Sequence, residues 1–215
     1  MDGILIIDKP YGMTSHDVVN WLRKKYKQKK FGHTGTLDPN ATGVLVVLCG
    51  KSCKLLQFLS DTDKEYIGQI EFGKSTSTDD IWGEVEVEKE VNLDFSFSEE
   101  LQKFVGKNHQ LVPKTSNKKV NGKKLMDYQR EGLEVPKVYS DIEIYSMEDL
   151  GDYRFRVACS SGTYVRPCGE RLSPQGRRDC KGFLCSQSLR RAGSCAQDSP
   201  PCPSGRWRWR RCRRP

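Results

Sequence analysis

The 215-residue sequence predicts an α+β fold, a mixed, largely antiparallel sheet flanked by helices. Three observations support this. One five-residue run, Val44 to Leu48, is continuously apolar, as in a strand covered on both faces. Tyr66 to Phe72, Ile142 to Tyr145 and Tyr153 to Cys159 alternate apolar and polar residues, the period of a half-buried strand. Between these runs lie segments with the i, i+3, i+4 spacing of amphipathic helices.

In chain order, Gly3 to Ile7 reads as a short buried strand. Pro10, Gly12 and Thr14-Ser15 form a turn and an N-cap. Asp17 to Tyr26 follows as a helix with Val18, Val19, Leu22 and Tyr26 on one face. After the Val44 strand, Lys51 to Ser60 reads as a helix with Leu55, Leu56 and Leu59 inward. Tyr66, Gly68, Ile70 and Phe72 share one strand face, and Val85 and Val87 continue the sheet. Ser98-Glu-Glu caps a helix reaching Val105. Residues 107–136 are rich in Lys, Gly and Asn around an amphipathic piece, Lys124 to Arg130. The last two strands join through a turn at Glu148-Asp-Leu-Gly-Asp152.

Composition narrows the function. No apolar run reaches the length of a membrane span, and the N-terminus lacks the basic region and apolar stretch of a signal peptide, so a cytoplasmic, membrane-free protein is expected. The net charge of +8 suggests a polyanionic partner, but it is unevenly placed. From Pro167 on there are 11 Arg and 1 Lys against 3 acids, a balance of +9, whereas residues 1–166 balance at −1. Six of nine cysteines also lie in this tail: Cys168, Cys180, Cys185, Cys195, Cys202 and Cys212. Cys180 and Cys185 have a permitted ligand spacing, yet no second close pair and no His follows, so no metal is expected. The tail has no apolar periodicity. Its abrupt change in Lys/Arg, Cys and Pro usage reads as a shifted reading frame or chimeric gene rather than a basic arm, and residues 167–215 are expected to be disordered.

The stretch from Gly32 to Gly43 carries the strongest functional signal. It is a long polar loop feeding the buried Val44 strand, and Asp38 is its only carboxylate. Pro39 forces Asp38 out of the helical region. Taken alone, Asp38-Pro39 is an ordinary turn former and His33 a loop hydrogen bonder. A phosphate-binding loop would need Gly-Lys-Ser/Thr, which is absent.

Gly32 to Gly43 resembles the signature loop of the TruB pseudouridine synthases nearly residue for residue. Asp8 to Val19 resembles that family's N-terminal motif, and Asp61 to Tyr66 the segment with its active-site tyrosine. Val120 to Leu125 with Tyr128 resembles its substrate-binding insertion, and Ser161 to Arg166 its late motif ending in the catalytic arginine. The five motifs occur in order across residues 1–166. The resemblance implies a pseudouridine synthase catalytic domain over 1–166, with the RNA-contacting insertion at about 107–136, and conversion of uridine 55 in the tRNA T-loop to pseudouridine. It implies Asp38, Tyr66 and Arg166 as catalytic residues, with Arg166 pairing Asp38 and Tyr66 stacking on a flipped base. Substrate-binding roles fall to His33, Gly35, Thr36 and Tyr164, and phosphate contacts to Lys9, Lys123 and Lys124. No cofactor is implied; the partner is the T-arm of tRNA, no protein partner is required, and a monomer is expected. Two features depart from the family. Thr115-Ser116-Asn117 stands where it usually has Tyr-Ser-Ala. Past Arg166 neither its closing helix and strand nor a PUA domain is recognisable. The alternatives are a non-catalytic RNA-binding or tRNA-folding module, and an inactive product of a damaged gene.

Overall fold

A computed structural model describes residues 1–59, 62–76, 83–88, 94–167 and 183–184. The chain divides into two compact units, with the boundary between Asp61 and Thr62. Residues 1–166, expected as one domain, are thus shared between them. The architecture is α+β, and every strand pair among the described residues is antiparallel.

In the first unit, β1 (Gly3–Lys9), β2 (Phe31–His33) and β3 (Gly43–Cys49) form a sheet in the order β1-β3-β2. Helix α1 (Ser15–Tyr26) contributes Val18, Val19 and Leu22 to a core shared with Ile7, Leu45 and Val47. Thr14 caps it through a capping box, its hydroxyl accepting the Asp17 N–H while the Asp17 carboxylate accepts the Thr14 N–H. Gly50 is required where the chain leaves β3: its φ is +60°, and an added Cβ would stand 1.8 Å from Asp2.

Two expectations here are corrected. The sheet is not covered evenly on both faces. Leu45, Val47 and Leu48 are buried, but Val44 and Val46 are half-buried, and Ile4 and Ile6 of β1 are 47% and 52% exposed. The helix expected over Lys51 to Ser60 is instead a 3-10 segment (Gly50–Leu55) and a single α turn, α2 (Leu56–Leu59). Its leucines do not face inward together, because tighter winding redistributes them: Leu55 is exposed, Leu56 and Leu59 half-buried.

The second unit is built on a five-stranded sheet. Its strands are β4 (Lys64–Ile70), β7 (Gly106–Leu111), β10 (Tyr139–Gly151), β11 (Arg154–Cys159) and β12 (Phe183–Leu184), in the order β12-β4-β11-β10-β7. Phe155, Val157, Ile142, Ile144 and Met147 pack with Leu101 and Phe104 from the region of α3 (Phe97–Gln102). Phe72, Phe97 and Tyr153 make edge-to-face contacts at 5.1 to 6.4 Å.

Further differences from the sequence expectations have local causes. Strand β6 (Val85–Glu88) pairs only with β5 (Lys74–Thr76) in a separate ribbon and does not continue the main sheet. The cap of α3 is Ser96, two residues before Ser98, so Glu99 and Glu100 fall in the first turn. The stretch read as an insertion from Lys107 opens with β7. The sequence conceals this strand because both its faces carry polar residues. The insertion proper holds a two-stranded hairpin, β8 (Lys119–Val120) and β9 (Lys123–Lys124), followed by α4 (Leu125–Arg130). Asn121 and Gly122 take positive φ in its turn. Finally, β10 runs straight through Glu148 and Asp149, and the chain reverses at Asp152 and Tyr153, with φ of 52° and 55°.

Phe183 and Leu184 pair with Ile70 and Gln69 at the sheet edge, so this dipeptide joins the body, against the expectation for the whole tail. The remaining tail assignments, its six cysteines and the Arg-Trp run included, lie outside the described residues. No helix among the described residues is long and apolar enough to cross a membrane.

Candidate active site

The loop bearing Asp38 is fixed from three sides within the first unit. Ser15, buried in the first turn of α1, meets both backbone polar groups of Leu37: its Oγ accepts the Leu37 N–H at 2.8 Å and donates to the Leu37 carbonyl at 3.2 Å. Leu37 itself is buried in the core. Past Asp38, the Pro39 carbonyl accepts the Gly12 N–H at 2.9 Å, and the Asp38 carbonyl closes a turn with the Ala41 N–H at 3.0 Å. Asp38 is thereby held half-buried between an anchored leucine and an anchored proline. Thr34 joins the loop's other end to β3 through the Val46 carbonyl.

Lys9 adds a further tie. It is fully buried, and its ammonium donates to the carbonyls of Met13 at 2.5 Å, Pro10 at 2.9 Å and Pro39 at 3.2 Å. Three acceptors satisfy three N–H donors. Burial lowers its pKa, an effect opposed by the carboxylates of Asp38 and then Asp17. Lys9 was expected to contact phosphate; here its donors bridge the Pro10–Met13 turn and the Asp38-Pro39 corner. The His33 Nδ1 lies 2.7 Å from the Gly35 carbonyl, which can only accept, so Nδ1–H is the donor. Gly35 is half-buried with nothing within 4 Å of where a Cβ would stand, and Thr36 is exposed.

In the second unit, Tyr66 sits on β4 opposite Val157, half-buried against the core cluster. Tyr164 and Arg166 flank Val165, which is buried in that core. The Arg166 Nη1 donates to Thr115 Oγ1 at 3.1 Å, and the Tyr164 hydroxyl lies 2.7 Å from Ser116 Oγ. Lys123 is paired with Glu131 and stands 4.8 Å over the Tyr128 ring, while Lys124 is the half-buried N-cap of α4. Lys123 is thus partly engaged by α4 and the residue that ends it.

The structure brings Lys9, His33, Gly35, Thr36 and Asp38 together in one unit. It places Tyr66, Tyr164, Arg166, Lys123 and Lys124 in the other. Sequence reasoning missed Ser15, read only as part of a cap, and Gln110, which sits at an inward position of β7. The signal for Gln110 was its alternation with exposed Lys107, His109 and Leu111. Among the described residues, no group of three or more His, Cys, Asp or Glu is placed to hold a metal ion.

Residues 23–165 match the model of the TruB family pseudouridylate synthase N-terminal domain. The chain is 44% identical over 176 residues to a tRNA pseudouridine synthase B of Shouchella clausii, covering 76% of this chain and 58% of that protein. It is 44% identical over 180 residues to the enzyme of the same name from Caldicellulosiruptor saccharolyticus, covering 80% of this chain and 62% of that one. The chain therefore spans about three-fifths of the length of these curated relatives. Among solved structures, it resembles a chain of a Cbf5-Nop10-Gar1 complex with a TM-score of 0.62 and 25% identity, over 88% of this chain and 48% of that one.

Proposed function

The chain belongs to the TruB family of pseudouridylate synthases, and on that premise we propose that it isomerises a uridine of the tRNA T-loop, at position 55, to pseudouridine. The observation that carries this reading is the match over residues 23–165, which takes in the Gly32–Gly43 loop, whose one carboxylate, Asp38, stands at a corner held by Ser15 and Lys9. The reaction breaks the C1′–N1 bond, turns the uracil and forms a C1′–C5 bond. A proton leaves C5 and one is gained at N1, so there is no net redox change and no cofactor is called for. A carboxylate can serve as nucleophile at the ribose or as base at C2′; either role needs it ionised and held at a fixed point.

The remaining residues take supporting roles in this proposal. Extruding the base from the stack costs roughly a few kcal/mol, and the Tyr66 ring recovers part of that by stacking. Arg166 takes the part of the family's catalytic arginine, a guanidinium able to hold an anionic group. His33 fills the space left by the flipped base, and Gly35 and Thr36 leave the loop surface clear for RNA. Tyr164 borders the substrate, and Lys123 and Lys124 meet phosphates. The protein acts as a cytoplasmic monomer on the T-arm.

The test is pseudouridine formation and loss of the uridine C5 proton in tRNA incubated with the full chain. Asp38→Asn is expected to abolish turnover while tRNA affinity stays within a few-fold. A mutant retaining more than a few per cent of the rate, or a full chain that forms no pseudouridine, overturns the proposal.

A further inference from the structure

Arg166 and Tyr164 lie on a segment that belongs to neither a helix nor a strand where Tyr164 sits, yet their position is held by a continuous polar network. Gln110 on β7 is buried, and its carboxamide meets both backbone groups of Tyr164: Oε1 accepts the Tyr164 N–H at 2.9 Å, and Nε2 donates to the Tyr164 carbonyl at 2.7 Å. This reproduces with a side chain the paired bonds an antiparallel strand neighbour would make. Two short steps along the same chain, Ser116 is buried, accepts the Lys118 N–H at 3.0 Å and meets the Tyr164 hydroxyl at 2.7 Å. Beside it, Thr115 Oγ1 accepts a guanidinium N–H of Arg166 at 3.1 Å. The turn carrying Thr115 and Ser116 is itself closed by the Ser116 N–H to the Pro113 carbonyl, and Ser116 fixes α4 through the Met126 N–H.

We propose that Gln110, Thr115 and Ser116 form a positioning clamp that sets the backbone of Tyr164 and the rotamer of Arg166, so that the guanidinium is presented in one orientation for the reaction. The reading rests on the proposed function for its catalytic consequence, but the clamp itself is a statement about hydrogen bonding within one unit. A guanidinium on a flexible stem loses much rotamer freedom when fixed, and Thr115 makes part of that loss before substrate arrives. Gln110 does the same for the backbone from which both side chains spring. A buried carboxamide aligned with one residue's N–H and C=O fits only one placement of that residue, because sliding the segment by one position would leave four polar groups unpaired. None of the three residues needs to touch substrate to act in this way.

The test uses the full chain and shape-conserving variants. Thr115→Val removes the hydroxyl at constant shape, and Thr115→Ser restores it. Turnover on tRNA is expected to fall about tenfold in kcat with KM little changed for Thr115→Val, the scale of one hydrogen bond to a charged group, and to return to near wild type in Thr115→Ser. In parallel, the nitrogen-15 resonance of the Arg166 guanidinium is followed by NMR without RNA. It is expected to broaden or shift toward an unrestrained arginine in the valine variant only. Gln110→Ala is expected to speed hydrogen exchange of the 161–166 backbone about tenfold or more, while β11 keeps its protection. If valine and serine at position 115 behave alike in both readouts, or if 161–166 stays protected in Gln110→Ala, the clamp is refuted. If the wild-type chain shows no turnover, the functional proposal fails, and the NMR and exchange data still decide the clamp.

Discussion

Replacing Ser15 by alanine tests the anchoring of the Asp38 loop. Ser15 is 1% exposed, and its single hydroxyl serves the N–H and the carbonyl of Leu37, the residue before Asp38. Alanine keeps the helix position but leaves two backbone groups of a buried residue without that partner. An unsatisfied buried group costs about 1–3 kcal/mol, so the pair is worth about 3 kcal/mol. Each 1.4 kcal/mol is tenfold in an opening equilibrium, so the unit should open about a hundredfold more often. The assay is native hydrogen exchange of the central strand, Gly43–Cys49, whose slowest amides report opening of the first unit. Amides of β11, in the other unit, serve as the internal control. An acceleration of less than threefold in β3 would refute the argument, since water or a relaxed loop would then be satisfying Leu37.

Lys9→Met is expected to destabilise the first unit by orphaning three carbonyls while leaving the salt dependence of tRNA binding unchanged; a slope shallower by about one would restore Lys9 as a phosphate contact. Tyr66→Ala should lower turnover by about 1–3 kcal/mol of stacking, read from kcat/KM, and a near-normal value would remove it from the site. Thr14→Ala should cost about 1 kcal/mol by loss of the capping box, read from exchange of the first-turn amides of α1. Burial raises the Cys159 thiol from 9.0 to about 11, with the Thr163 hydrogen bond opposing, so the native state holds this proton more tightly than the unfolded chain. The resulting stability is complete below pH 9 and is lost as pH rises toward 11, about 3 kcal/mol in all; Cys159→Ala should flatten that limb of a denaturation-versus-pH curve, and an unchanged limb would show that the thiol does not titrate with unfolding.

Elements with a local signal could be read directly from consecutive residues. The Thr14 to Tyr26 cap and helix, the Val44 strand and the alternation from Tyr153 to Cys159 were legible because periodicity and capping are written in consecutive residues. The motif around Asp38 was legible because its residue order is distinctive. Other features depended on partners far along the chain. The final hairpin turns at the far end of the stretch expected to turn, at Asp152 and Tyr153, where two non-glycine residues take left-handed backbone and the Tyr153 ring packs against Phe72 and Phe97. Strand β7 was hidden because Gln110 and Asn108 look like loop residues until Tyr164 and the Phe104 carbonyl supply their partners. Lys9 reads as a phosphate contact in a sequence and becomes a buried tie in the fold, since whether a cation meets water or carbonyls is set by which chain segments close over it.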